Sequence, residues 1–434
     1  MLRTLTKLSR ASTTVARNGE LRSVSRRPYL IASSPPFRLI HDGVDHSKAN
    51  PVAVQMINYA LSHARSQKSD ESFAQGMLVL EQCLSNQLSE GKDPANENSK
   101  GMVLLAMSTL LSERGDFHEA IERLNRVQDL ASSFLGLRVA AFEALVGLHL
   151  ELGQDDTSSV VADVCLEFLR IQGTGCSGRD FEVINARAKA VKGLVELIKA
   201  NLESADAFFQ GPQADKLCNG SVALSYGEFL HATQNFSLAK EVYQKVIEGG
   251  SETKDFGDPY ALAACNMTVE EVILGAMCSL GQLEAHLGNF GDAEELLTRA
   301  LTKTEECFGS HHPKVGVILT CIALMFRRKA MQERSSSLLV QEGLFRKAIE
   351  LLKAPPVESE DAGVNIDRRD MVALARGGYA EALIVQENRK VQGEKMKSWA
   401  EAAWRNRRLS LAEALELDSN SKLPVIDARI SRVL

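Results

Sequence analysis

The chain is short of helix-breaking residues and of the motifs that mark catalytic loops. Eleven prolines occur in 434 residues and aromatics make up only 6%, while Ala, Leu and Glu are abundant, which tilts the reading towards helix. No apolar run approaches the roughly 18 residues a bilayer span needs. The longest, Val315–Phe326, ends in Arg327-Arg328-Lys329, so no transmembrane segment is expected. Eight cysteines are scattered as Cys83, Cys165, Cys176, Cys218, Cys265, Cys278, Cys307 and Cys321, with no CxxC pair. That excludes a zinc ribbon, a redox dithiol and a disulfide framework, and fits a reducing compartment. No Walker loop, G-x-S-x-G or H-E-x-x-H is present, and the many carboxylates alternate with Lys and Arg along helical faces, as solvated surfaces do. No enzyme activity, no cofactor and no metal is expected.

Three fragments invite a sharper reading and lose it on context. Gly173-Thr-Gly-Cys-Ser-Gly178 fits G-x-G-x-x-G, but a dinucleotide fingerprint must follow a strand, and this one follows the helical stretch VVADVCLEFLRI; it reads as a loop. His311-His312 has no Cys or acid at ligand spacing. The basic clusters Arg327-Arg328-Lys329 and Arg405, Arg407, Arg408 are not interleaved with aromatics, as nucleic-acid platforms are, and read as salt-bridged helix surface. Nucleic acid is therefore not the expected partner.

The composition shifts sharply at the start. Residues 1–40 hold Arg3, Lys7, Arg10, Arg17, Arg22, Arg26, Arg27 and Arg38 against Glu20 alone, a charge of +7, with ten Ser or Thr. An Arg-rich, Ser-rich, acid-poor segment has the composition of a transit peptide. At about 100° per residue Lys7, Arg10 and Arg17 fall near Arg3, and Leu2, Leu5 and Leu8 fall opposite. This amphipathic form points to mitochondria, matrix import being the expectation, with a plastid as the alternative and an anion-binding basic tail as the plainer reading. Cleavage is expected between about residues 29 and 40. The −6 of the whole chain less the leader's +7 leaves −13, which disfavours phosphate backbones and favours a protein or peptide partner that is neutral or basic.

Within the rest, one spacing recurs. A small residue is followed at +7 by Gly or another small or polar residue, at +9 by an aromatic or Leu, at +12 by Ala and at +16 by an aromatic or Leu. The copies are Gly281-Gly288-Phe290-Ala293-Leu297, Gly227-Gln234-Phe236-Ala239-Tyr243, Gly193-Ala200-Leu202-Ala205-Phe209, Ser108-Gly115-Phe117-Ala120-Leu124 and, degraded, Val146-Gly153-Asp155-Ser158-Ala162. Two antiparallel helices need small residues where they cross, and the turn between them suits a left-handed residue. The first small residue and the Ala are placed at the crossing, and the last positions on the next hairpin. One hairpin cannot bury its faces alone, so copies stack.

These residues resemble the tetratricopeptide repeat family, and residues 281–315, with Gly309 and His312-Pro313 after the second helix, look most like its kinesin-light-chain subtype. The resemblance implies an all-α, right-handed superhelical solenoid of stacked antiparallel hairpins that binds other proteins. Further hairpins are expected at 51–87, with Met56, Ala60 and Ala64 facing Gly76, Leu80 and Cys83, and at about 315–353, for seven or eight in all. The expected organisation is a leader at 1–40, an array at 51–353, mobile loops at about 88–99 and 354–367, capping helices at 368–417 with Trp399 and Trp404, and a tail at 418–434. The expected function is a mitochondrial scaffold or assembly adaptor; the alternative is an accessory protein of a mitochondrial RNA or translation machine.

In the family, first helices line the concave side, so residues beside each crossing are expected to face a partner: Thr109, Glu113, Arg187, Glu228, His231, Gln282 and His286. The places where some members carry a carboxylate clamp for chaperone tails hold Leu105 and Thr109, Glu143 and Gly147, Ala190 and Leu194, Leu224 and Glu228, and Cys278 and Gln282, from which no clamp can be assembled. Glu113 and Glu228 are expected to meet a basic segment.

Overall fold

The computed structural model describes residues 50–88, 94–172, 179–210, 220–252, 269–334, 338–357, 367–417 and 422–434. The leader, the 173–178 glycine loop and most of the 354–367 loop lie outside them. Among the described residues the chain is helical hairpins in sequence: α1 (Pro51–Gln67) with α2 (Asp70–Leu88), α3 (Pro94–Arg114) with α4 (Phe117–Gln128), α5 (Leu135–Glu151) with α6 (Asp155–Gln172), α7 (Arg179–Ile198) with α8 (Leu202–Phe209), α9 (Gly220–Ala232) with α10 (Phe236–Glu252), α11 (Val269–Leu287) with α12 (Phe290–Phe308), α13 (Pro313–Glu333) with α14 (Leu338–Leu351), and α15 (Arg369–Ile384) with α16 (Lys390–Ala403). Each helix packs on the next, within hairpins and between them. The array is an all-α solenoid of stacked hairpins. None of these helices is long and apolar enough to cross a membrane.

The turn explains the +7 position. Gly115, Gly153, Ala200, Gln234 and Gly288 all have positive φ, at 89°, 72°, 66°, 66° and 83°. The next amide reaches back to a carbonyl of the last helical turn: Asp116 to Leu111 at 2.9 Å, Gln154 to His149 at 2.8 Å, Asn201 to Glu196 at 2.9 Å, Asn235 to Leu230 at 2.8 Å and Asn289 to Glu284 at 2.9 Å. This six-to-one bond closes a Schellman end and satisfies a carbonyl the helix itself cannot. The geometry is kept even where the residue is Ala or Gln.

The crossing explains the small residues. A Cβ on Gly281 would meet Leu297 at 2.7 Å, one on Gly227 would meet Tyr243 at 2.7 Å, and one on Gly193 would meet Phe209 at 2.8 Å. The +16 side chain therefore lies over the crossing glycine of its own hairpin, where the spacing alone suggested the next one. In the first hairpin a Cβ on Gly76 would meet the Ala60 carbonyl at 2.9 Å.

His312 shows why His-Pro precedes a helix. Its Nδ1 accepts the Lys314 amide at 3.1 Å and caps α13, with Pro313 in the first turn. Nε2 then carries the proton and donates to the Glu113 carbonyl at 2.9 Å. Lys68, at the end of α1, donates to the Glu305 carbonyl at 3.4 Å and to that of Glu306. Both contacts join the first two hairpins to the α12–α13 corner, so the array curves back on itself.

Three expectations are corrected. Residues 94–99 are not loop but the first turns of α3, because Asn96, Asn98 and Ser99 are buried and Asn98 accepts the Phe134 amide at 2.7 Å. Arg405, Arg407 and Arg408 follow α16 instead of belonging to it. The segment after α16 is no loose tail: it turns through α17 (Leu411–Leu415) and ends in a two-stranded antiparallel hairpin, β1 (Ile426–Asp427) with β2 (Arg432–Val433).

Candidate functional site on the inner face

Every residue from Val425 to Leu434 is buried. The segment lies between two cores: neighbours in its extended parts, Val425 and Ile426, and Val433 and Leu434, point to opposite sides, and the turn at 428–431 sends Ala428 to one core and Ile430 to the other. Ile426, Ala428 and Val433 join the core around α11 to α16, whereas Val425, Ile430 and Leu434 join the core around α5 to α11. The same short segment touches α5, α6, α9, α11 and α15. Elements so far apart in sequence meet only on the inside of a curved array.

The grip on this segment is specific. Gln282 on α11 clamps the main chain of Ile426, with Nε2 donating to its carbonyl at 2.9 Å and Oε1 accepting its amide at 2.8 Å. Arg429 donates to Ser221 Oγ at 2.9 Å, Ser225 Oγ at 3.3 Å and Asp427 at 2.9 Å, and forms a close ion pair with Glu228 of α9. Arg432 donates to Asp155 at 3.0 Å and to the Leu150 carbonyl at 3.4 Å, with Asp370 3.6 Å away. Arg408 ties the segment from behind through the carbonyls of Leu423 and Leu434. The inner face thus carries carboxylates that receive two guanidiniums, and a side-chain amide that reads backbone. Burial pushes the Glu228 carboxyl well above the usual range against the pull of Arg429, and Asp155 is raised by burial against the pull of Arg432. Burial of Arg408 lowers its guanidinium to about 10.

The seven residues singled out from the sequence fall into three groups. Glu228 and Gln282 hold the C-terminal segment directly. Thr109 and Glu113 border a cavity of about 60 Å³ with Arg429 and Ile430, and His286 borders one of about 50 Å³ with Pro424 and Ala414. Arg187 is instead consumed by a buried pair with Glu143 between α5 and α7, and His231 by its bond to His286 at 2.7 Å, beside Tyr243. The expectation that these side chains stand open to an external partner is corrected: Thr109, Arg187, Glu228, His231 and Gln282 are buried, Glu113 pairs with Arg65, and the inner face is filled by the chain's own segment. Glu228 does meet a basic group, and that group is Arg429. Burial lowers His231 to about 3 and His286 well below its ordinary value, so both rings are neutral.

What the sequence reading missed is Leu423–Leu434, LPVIDARISRVL. Its signal was slight: four β-branched residues, Val425, Ile426, Ile430 and Val433, and two arginines, Arg429 and Arg432, within a chain that is −13 without its leader.

A larger cavity, about 720 Å³, lies at the seam where α1 and α3 meet the α12–α13 corner. Four of its basic residues are already engaged: Arg65 with Glu113, Arg114 with Asp70, Arg368 with Glu151 and Lys68 with helix-end carbonyls. Among the described residues no three His, Cys, Asp or Glu side chains gather as a metal site would.

Residues 273–314, covering α11, α12 and the turn into α13, match the family model described as tetratricopeptide repeat. No curated protein matches the chain.

Proposed function

We propose that this tetratricopeptide-repeat chain, a protein–protein interaction scaffold by its architecture, works in mitochondria and holds an extended protein segment on its inner face. The observation that carries the reading is the clamp itself. Gln282 engages both backbone groups of Ile426 while Glu228, Asp155 and Asp370 surround two arginines. Main-chain bonds supply grip whatever the sequence, and charged pockets select the side chains. An acidic lining disfavours a nucleic-acid backbone at this face. The address rests on the composition of residues 1–40, and a role in assembling a mitochondrial complex suits a scaffold that holds segments of other proteins.

Two experiments test the reading. Residues 1–50 fused to a fluorescent reporter are expected to enter mitochondria, and Arg3, Lys7 and Arg10 changed together to Glu to abolish import; cytosolic or plastid signal from the unaltered leader refutes the address. For the inner face, a protease site is placed between Leu417 and Lys422 of the full chain, which is cut after folding. A labelled synthetic peptide of residues 422–434 then exchanges into the cut protein saturably. Gln282→Ala weakens its uptake, and Arg429→Ala in the peptide abolishes it. Failure of the unaltered peptide to enter refutes the inner face as a receptor.

A further inference from the structure

Resting on that reading, we propose that residues 422–434 are a displaceable ligand in cis, which closes the inner face until a partner segment bearing an arginine flanked by aliphatic residues replaces it. The contacts have the form of a docked ligand more than of a wall. The two strands are two residues long and, among the described residues, pair with each other alone, so no described helix depends on their backbone for its own hydrogen bonds. The array meets them through side chains from separate hairpins and through the Leu150 and Ser221 carbonyls, as a receptor meets a peptide.

The fit is also incomplete. Glu228 Oε1 and Arg432 Nε, both buried, make no hydrogen bond among the described residues. Cavities of about 50 and 60 Å³ remain beside Pro424 and beside Arg429 and Ile430, each several times the roughly 10–15 Å³ that admits a water. Buried ion pairs give back much of their Coulomb attraction as desolvation; they fix which segment binds more than how tightly it stays. On both sides of the connection, Glu416 and Lys422 are exposed, so the segment can leave without the array opening first.

Tethering decides the competition. A segment on a short linker acts at an effective concentration in the millimolar range, so a free copy of the same sequence competes poorly against it. A partner gains the site when it brings further contacts or when the tether's advantage is lost. Occupants of other chemistry, an acidic segment above all, meet Glu228, Asp155 and Asp370 with like charge.

The test compares uncut and cut full-length protein carrying the protease site. The labelled 422–434 peptide is expected to bind the uncut form at least about a hundredfold more weakly than the cut form. Equal binding overturns closure by the segment. Uptake by neither form refutes the receptor reading itself, so the two failures are distinct. Hydrogen exchange on the unaltered chain supplies the second arm. Amides of residues 423–434 are expected to exchange at least tenfold faster than those at the centre of α11. Exchange of both at one common rate shows that the segment leaves only when the whole array unfolds, and overturns displaceability.

Discussion

The wall of the array and the segment inside it are held by different kinds of contact. In the wall the decisive pairs are sixteen residues apart, Gly281 under Leu297 and Gly227 under Tyr243, and the left-handed turn recurs at a fixed offset. Inside, Arg429 reaches Glu228 across 201 positions and Arg432 reaches Asp155 across 277. A local device can be repeated, and it degrades gracefully when one copy changes. A non-local one exists once, and its failure leaves buried charges behind. The comparison predicts that the inside is the more fragile region per substitution.

Arg429→Ala is expected to show the largest loss. It strands Glu228 and Asp427, both fully buried, and removing one partner of a buried pair costs on the order of 3–5 kcal/mol. Changing Glu228 to Gln and Arg429 to Met together removes both charges of that pair, and a smaller loss than Arg429→Ala is expected in thermal or urea unfolding. If the double variant is as unstable as the single, the network does not act through unpaired charge.

That contrast also sets what could be read beforehand. The hairpins, the Gly288 turn, the Gly281–Ala293 crossing and the His312-Pro313 corner were legible because each is a rule about near neighbours repeated along the chain. Thr109, Glu113, Glu228, Gln282 and His286 were placed on the inner side by the family resemblance, in which first helices line the concave face. Their occupant was not, because nothing near Glu228 in the sequence announces Arg429. The buried pairing of Arg187 with Glu143, between consecutive first helices, escaped for a similar reason: charged residues were counted as groove surface, whereas these two satisfy each other.

A pH scan distinguishes the corner from both regions. Burial lowers His312 from 6.5 to about 4, so its folded form binds the proton less readily than the unfolded chain does. Unfolding therefore takes up a proton below about pH 6.5, and the stability present above that value is lost as pH falls towards 4. His231 and His286 act in the same direction. The melting temperature is expected to drop across this window. His312→Asn keeps a capping side chain at α13 and should make the drop shallower; an unchanged slope refutes the role of this ring.

Within the wall, Ala293→Trp overfills a crossing that is fully buried and is expected to cost on the order of 1–3 kcal/mol. Glu295→Gln lies two residues further on, on the exposed side of the helix, and should cost almost nothing. Equal melting temperatures for these two variants contradict the hairpin packing described above.

The smallest effect tests whether the turns are one device. Ala200 and Gln234 adopt φ of 66° where Gly115, Gly153 and Gly288 stand in the other copies. A side chain in this region crowds its own carbonyl, at about 1–2 kcal/mol per residue, and glycine avoids that at some cost in unfolded-state entropy. Ala200→Gly and Gln234→Gly are therefore each expected to stabilise, by about 0.5–1 kcal/mol net. Gly288→Ala, at φ 83°, should destabilise by a similar or larger amount, since its added Cβ also approaches Gln332 at 3.3 Å. The three variants together make the comparison sharp, for they change neither the crossing nor the inner segment. If Gln234→Gly destabilises in chemical unfolding, the glutamine side chain contributes more than its backbone strain costs, and the turns are not interchangeable copies.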